Sequence, residues 1–256
     1  MVASALGAAA ILLAVALFFI LGNDDNDTGQ TAKLTPSPTS SISASATPTP
    51  TSTPPFDRTV FRLAIWSREE SRWLLEDLSS QTPVYREGES ILFLIRIDNA
   101  NPGAIYRIGL TYRCQTEGVA AFDFLTRVSN TDAEAALSDP GPGRLPSDST
   151  IPIPDDPSLE FDKDAERRFQ LWGATFHQSP QGPLPPAPCQ DEKLIILNLS
   201  AHNESVFLMW GAHIASSRDW GEGRGASEQK TRFGLEGTVD ELPAQEINVL
   251  PGAITP

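Results

Sequence analysis

Cysteine, histidine and methionine are scarce in this chain of 256 residues, at two, three and two. Two cysteines build neither a thiolate zinc cluster nor the disulfide framework of a small secreted scaffold. The three histidines, His177, His202 and His213, show no HxH or HExxH spacing, so no metal-ligand pattern is present. Positive charge is sparse too: 19 Lys plus Arg face 33 Asp plus Glu, for a formal charge of −14. Nothing here would neutralise a phosphate backbone, and nucleic acid is not an expected partner. No GxSxG elbow marks a hydrolase nucleophile.

Charge is missing altogether from residues 2–22, VASALGAAAILLAVALFFILG, where Ser4 is the one hydroxyl side chain. A core helix would show a polar face, and this run shows none. Twenty-one residues at about 1.5 Å each reach about 31 Å, the thickness of a bilayer's hydrocarbon core. The small residues come early and the run ends in Leu17, Phe18, Phe19, Ile20 and Leu21, the reverse of a cleavage site. An uncleaved signal-anchor over 1–22 is therefore expected, with the membrane as its partner. Asp24, Asp25 and Asp27 weakly favour export of the side that follows.

A stalk is expected over 23–55. Within 34–55, 18 of the 22 residues are Ser, Thr or Pro and none is charged, so the stretch has nothing with which to form a core. The remaining 56–256 reads as one extracytoplasmic domain of a single-pass cell-membrane protein.

That domain reads as all-β. Residues 90–99 (SILFLIRIDN) start apolar on both faces and become half polar, and 105–113 (IYRIGLTYR) alternates with Tyr106, Ile108, Leu110 and Tyr112 on one face. Further strands are expected at 122–128, 168–172, 194–200, 206–214, 231–235 and 245–250. Short strands divided by Gly, Pro, Asn and Asp fit an antiparallel β-sandwich. Residues 67–79 suit either a helix or a hairpin through 68–71. The proline-rich stretches 139–157 and 179–188 are expected to be loops. Cys114 and Cys189 both lie in the exported part, where cysteines usually pair, and a disulfide is expected; two unpaired buried thiols are the alternative.

Three constellations are candidates for chemistry. His213, Ser216, Ser217 and Asp219 have the residue types of a hydrolytic set, yet four residues crowded at one strand end rarely converge. A structural histidine beside a glycine-rich tight loop is the preferred reading, and the chain is read as non-enzymatic. Asp155, Asp156, Asp162, Asp164 and Glu166 form the densest acidic run. Calcium is the one cofactor it would take, but without a DxDxDG pattern a solvated acidic face explains it better. The five tryptophans are Trp66, Trp73, Trp172, Trp210 and Trp220; Trp172 and Trp210 fall in strands, where burial is the rule, and Trp220, placed in the glycine loop, is the candidate for a ligand.

The segment WGAHIASSRDWGEGRGAS (210–227) resembles the WGGHIA…DWG…GAS signature of exported bacterial surface proteins with Ig-like or prealbumin-like β-sandwich domains. YREGESILFLIRIDNANPG (85–103), LTYRCQ (110–115), STIPIPDD (149–156) and FQLWGATF (169–176) agree in order, so the similarity spans most of 85–227. At Glu228-Gln229-Lys230-Thr231-Arg232 the chain departs from the usual Gly-Ser-Pro-Tyr-type continuation. The resemblance implies a fold and an address and supplies no catalytic residues. The expected role is non-enzymatic: a membrane-anchored β-sandwich displayed for adhesion or envelope architecture, with an extracellular protein or glycan as partner. The alternative is a binding module for glycans or calcium using Trp220, His213 and Asp219 or the acidic run.

Overall fold

The structure, a computed structural model, describes residues 59–79, 84–128, 132–137, 141–143, 146–157, 159, 167–240 and 242–256. The expected anchor and stalk lie outside these residues, as do Asp162, Asp164 and Glu166. Among the described residues no helix is long and apolar enough to cross a membrane.

Two antiparallel sheets carry the fold. The first runs β2 (Arg72–Leu74), β1 (Val60–Ser67), β4 (Ser90–Asp98), β14 (Ser205–Ile214), β10 (Arg168–Trp172) and β9 (Ser149–Pro152). In it β8 (Phe122–Thr126) pairs with the far half of β14, beyond β10. The second runs β11 (Ala174–Phe176), β13 (Glu192–Ala201), β5 (Ile105–Arg113), β15 (Phe233–Val239) and β16 (Gln245–Val249), with β12 (Gln181–Leu184) also on β13. Short pairs are β3 (Tyr85–Arg86) with β17 (Ile254–Thr255), and β6 (Gln115–Thr116) with β7 (Val119–Ala120).

Alternation along these strands builds one core from both sheets. Leu63 and Ile65 on β1, Phe93 and Ile95 on β4, and Leu208 and Trp210 on β14 pack with Ile108 and Leu110 on β5, Leu197 on β13 and Leu235 on β15. This is a β-sandwich, and its apolar contacts are the main favourable term in folding. The first sheet is covered on its outer face as well. There Trp66, Trp73, Leu92, Leu94, Trp172 and Met209 form a second cluster with Ala136 of the short helix α1 (Ala133–Ala136).

Side chains also tie the sheets at their margins. Gln245 on β16 reaches β1, where its Oε1 accepts from Leu63 N at 2.7 Å and its Nε2 donates to Phe61 O at 2.6 Å. On the other side, β10 passes directly into β11 at Gly173, so one continuous segment changes sheets. A Cβ at Gly173 would run into the backbone carbonyl of Ser205, and its φ of +73° lies in the left-handed region.

Several sequence expectations need amendment. The 67–79 ambiguity resolves as a hairpin, with Trp66 opposite Trp73 and their rings edge-to-face at 5.5 Å. The first strand, β1, has no counterpart among the expected strands, because its last five residues are all buried and the period of two fades. The proline-rich stretches are not wholly loops: 139–157 holds β9 and 179–188 holds β12. Both tolerate proline for the reason edge strands do, since β9 ends at Pro152 and β12 is bulged around Pro183. The expected 231–235 strand starts later and runs longer, as Phe233–Val239.

Candidate functional site

The segment 210–227 begins on β14 and then leaves the sheet. Ser216 caps the one-turn helix α2 (Ser217–Trp220): its Oγ accepts from Asp219 N at 3.3 Å and donates to Asp219 Oδ2 at 2.7 Å. Glu87, from the turn before β4, clamps the loop from the other side. Its Oε2 accepts from Ser217 N at 2.7 Å, and its Oε1 accepts from Ser227 N at 2.9 Å and Ser227 Oγ at 2.7 Å. Gly225 is required here because a Cβ would collide with the Glu87 carboxylate. Burial pushes the Glu87 carboxyl up, but the donors from Ser217 and Ser227 outweigh it and hold the group below its ordinary value. The YREGE and WGAHIASSRDWGEGRGAS stretches, far apart in sequence, are thus one hydrogen-bonded unit.

His213 faces a partner that sequence reasoning missed. β8 carries a bulge, with Phe124 opposite His213 and Phe122 opposite Ile214, which leaves Asp123 out of register. A bulge re-aims a side chain, and here it brings the Asp123 carboxylate to two donors. Oδ1 lies 2.7 Å from His213 Nδ1, and Oδ2 accepts from Trp220 Nε1 at 3.3 Å. The Asp123 side chain is 0% exposed and that of His213 is 17% exposed. Burial raises the Asp123 carboxyl above the usual carboxylate range, against the pull of His213 and then Trp220. The Phe124 ring stacks on the imidazole at 4.4 Å, and the Arg167 guanidinium lies 5.4 Å from the centre of the same ring.

Of the candidate ligand residues, His213 and Trp220 are therefore brought together by a shared carboxylate, while Asp219 is turned back to cap its own helix. The four-residue hydrolytic set does not assemble: Asp123, not Asp219, orients His213, and Ser216 is bonded to Asp219. Ser227 and Lys230 stand at the SxxK spacing of some serine hydrolases, but Ser227 Oγ donates to Glu87 Oε1 at 2.7 Å. The arrangement holds an imidazole and an indole on one shared carboxylate.

The acidic run has a different use at its start. Asp155 pairs with Arg167, and Asp156 pairs with Lys193 at 3.0 Å. Among the described residues no group of three or more His, Cys, Asp or Glu is arranged to hold a metal ion. Cys114 and Cys189 form a disulfide with Cα atoms 6.1 Å apart, joining the end of β5 to the proline segment before β13. A separate cleft of about 770 Å³ lies on the outer face of the second sheet, lined by Arg107, Gly109, Leu194, Ile196 and Thr238 among others. It contains none of the groups above. No protein-family model matches the chain, and no curated protein matches it in sequence.

Proposed function

We propose that this chain is a non-enzymatic, single-pass membrane protein that displays an Ig-like or prealbumin-like β-sandwich outside the cytoplasm, for adhesion or envelope architecture. The observation that carries the reading is the Cys114–Cys189 disulfide, which forms and persists in oxidising compartments. The charge-free run 2–22 and the Ser/Thr/Pro stretch 34–55 supply the anchor and the spacer. The loop of the resemblance is spent on its own architecture through Glu87, Ser216 and Asp219, which suits a display scaffold better than a reaction centre. The test is fractionation of cells expressing the full chain, with external protease and a thiol-labelling reagent. A carbonate-resistant membrane protein, shaved from intact cells and carrying no labelled thiol before reduction, is the expected result. A chain released with soluble protein, or one protected from protease until lysis, overturns the reading.

The shared carboxylate of His213 and Trp220 favours a second reading, a glycan-binding module. The other tryptophans are buried, so Trp220 would report binding through its fluorescence. A quench on titrating an oligosaccharide panel, absent in Trp220→Phe, supports it; no change across the panel removes it.

A further inference from the structure

The second sheet turns an apolar patch away from the core. Along β13 Ile195, Leu197 and Leu199 face inward, yet Leu194 and Ile196 on the opposite side are apolar as well. A sheet face left to water is ordinarily polar. In the ladder Gly109 of β5 lies between Ile196 of β13 and Thr238 of β15, and its missing side chain leaves a hollow there. This is the outer-face cleft of about 770 Å³, a size that suits a ligand. Its lining also carries two exposed charges of opposite sign, Arg107 and Asp240. Asp240 Oδ1 accepts from the Arg107 backbone N–H at 3.0 Å, which leaves the guanidinium for another partner.

The chain itself arrives at this cleft. Thr59, the first described residue, is part of the lining, and its Oγ1 donates to Asn99 O at 3.1 Å. The residues just before it, 52–58, read Ser-Thr-Pro-Pro-Phe-Asp-Arg and break with the composition of the spacer. Phe56 is the only aromatic residue between Phe19 and Phe61, and Asp57 and Arg58 are the only charges between Lys33 and Arg62. An apolar ring, an acid and a base thus stand next to a cleft that offers an apolar patch, a base and an acid.

We propose that residues 54–58 form a strap that occupies this cleft. Phe56 covers the Leu194–Ile196 patch, Asp57 pairs with Arg107, and Arg58 lies by Asp240. Three residues of extended chain reach about 10 Å from Thr59, enough to carry Phe56 over the hollow at Gly109. Burying an aromatic ring supplies the main gain. Pro54 and Pro55 have their φ angles already fixed, which lowers the entropy cost of docking. The strap covers the outer face of the second sheet with the protein's own chain, and an outside ligand enters the cleft only when the strap lifts. The proposal stands whether or not residues 2–22 span a membrane.

Photochemical cross-linking of the full chain decides it. Phe56→p-benzoylphenylalanine keeps an aromatic ring at 56 and bonds to whatever lies beside it on near-ultraviolet irradiation. After trypsin the probe is in peptide 34–58 and the cleft in peptides 194–218 and 233–256. The expected product is a monomeric adduct that fragmentation places at Leu194, Ile196, Thr238 or Leu242. Closeness to Thr59 alone would also label the cleft, so charge reversal is the control. Arg107→Glu should cut the adduct yield about two- to fivefold, as loss of an exposed ion pair implies, and adding Asp57→Arg should restore it. The guanidinium takes no part in the backbone bonds between Arg107 and Asp240, so the variant should keep its fold. Should the reversal unfold the domain, Arg107→Gln removes the charge alone and should give the same fall. No adduct, an adduct confined to other peptides, or a yield indifferent to the charge at 107 overturns the proposal. A dimeric adduct overturns it as well, because the occupant is then the segment of a second copy.

Discussion

At the residue scale, two buried-side carboxyls respond to pH in opposite directions. Glu87 is held below its ordinary value of 4.5 by the donors from Ser217 and Ser227. Its contribution is present above that value and is lost as pH falls through the lower folded pKa. Asp123 is raised above 3.8 by burial, so its contribution runs the other way, present at acid pH and lost as pH rises through the folded pKa. Glu87→Gln keeps the size of the side chain but weakens charge-assisted hydrogen bonds, and should cost about 1–3 kcal/mol at neutral pH. Urea unfolding at pH 7 and pH 3 provides the check. The gap between wild type and Glu87→Gln should narrow toward acid, and the gap for Asp123→Asn should move in favour of wild type. Parallel pH trends for the two variants would contradict the assignments. Neither role was visible beforehand, since Glu87 is 130 residues from Ser217 and Asp123 is 90 from His213. A bulged strand leaves no local pattern that names the side chain it re-aims.

At the element scale, the change of sheet at Gly173 is the most exacting local feature. Its N–H donates to Asp148 Oδ2 at 2.7 Å, and its carbonyl accepts from His202 N and Asn203 N. Gly173→Ala meets both a left-handed φ and a backbone clash, and should destabilise by about 2–4 kcal/mol. For a domain of this size that corresponds to a fall in Tm of roughly 4–16 °C. A melt within about 1 °C of wild type would show that the crossover relaxes more easily than the contacts suggest. The strands with one buried face, β4 at its end and β5 throughout, were legible because their period of two survives in the residues. β1 was not, because cover on both faces removes the alternation, and β9 and β12 were hidden by prolines that an edge can accept.

At the scale of the whole molecule, the Cys114–Cys189 bridge spans 75 residues and encloses β6 to β12, including the edge of the first sheet. Closing a loop of that length stabilises by about 4 kcal/mol in the chain-entropy model, as an upper figure. Reduction should therefore lower the unfolding midpoint without abolishing the sandwich, whose core draws on both sheets and does not rest on the sulfurs. Far-UV circular dichroism before and after reduction checks it; complete loss of strand signal would make the bridge essential to the fold. The chain's own residues determined the antiparallel class, the inward face of β5 and which two cysteines are able to pair. These follow from composition, short-range periodicity and the absence of any other thiol. Only the tertiary structure decided that Glu87 closes the glycine loop, that Asp123 joins His213 to Trp220, and that Asp156 meets Lys193. Those partners lie far apart along the chain, and what brings them together is strand register and the packing of two sheets, which no local spacing encodes.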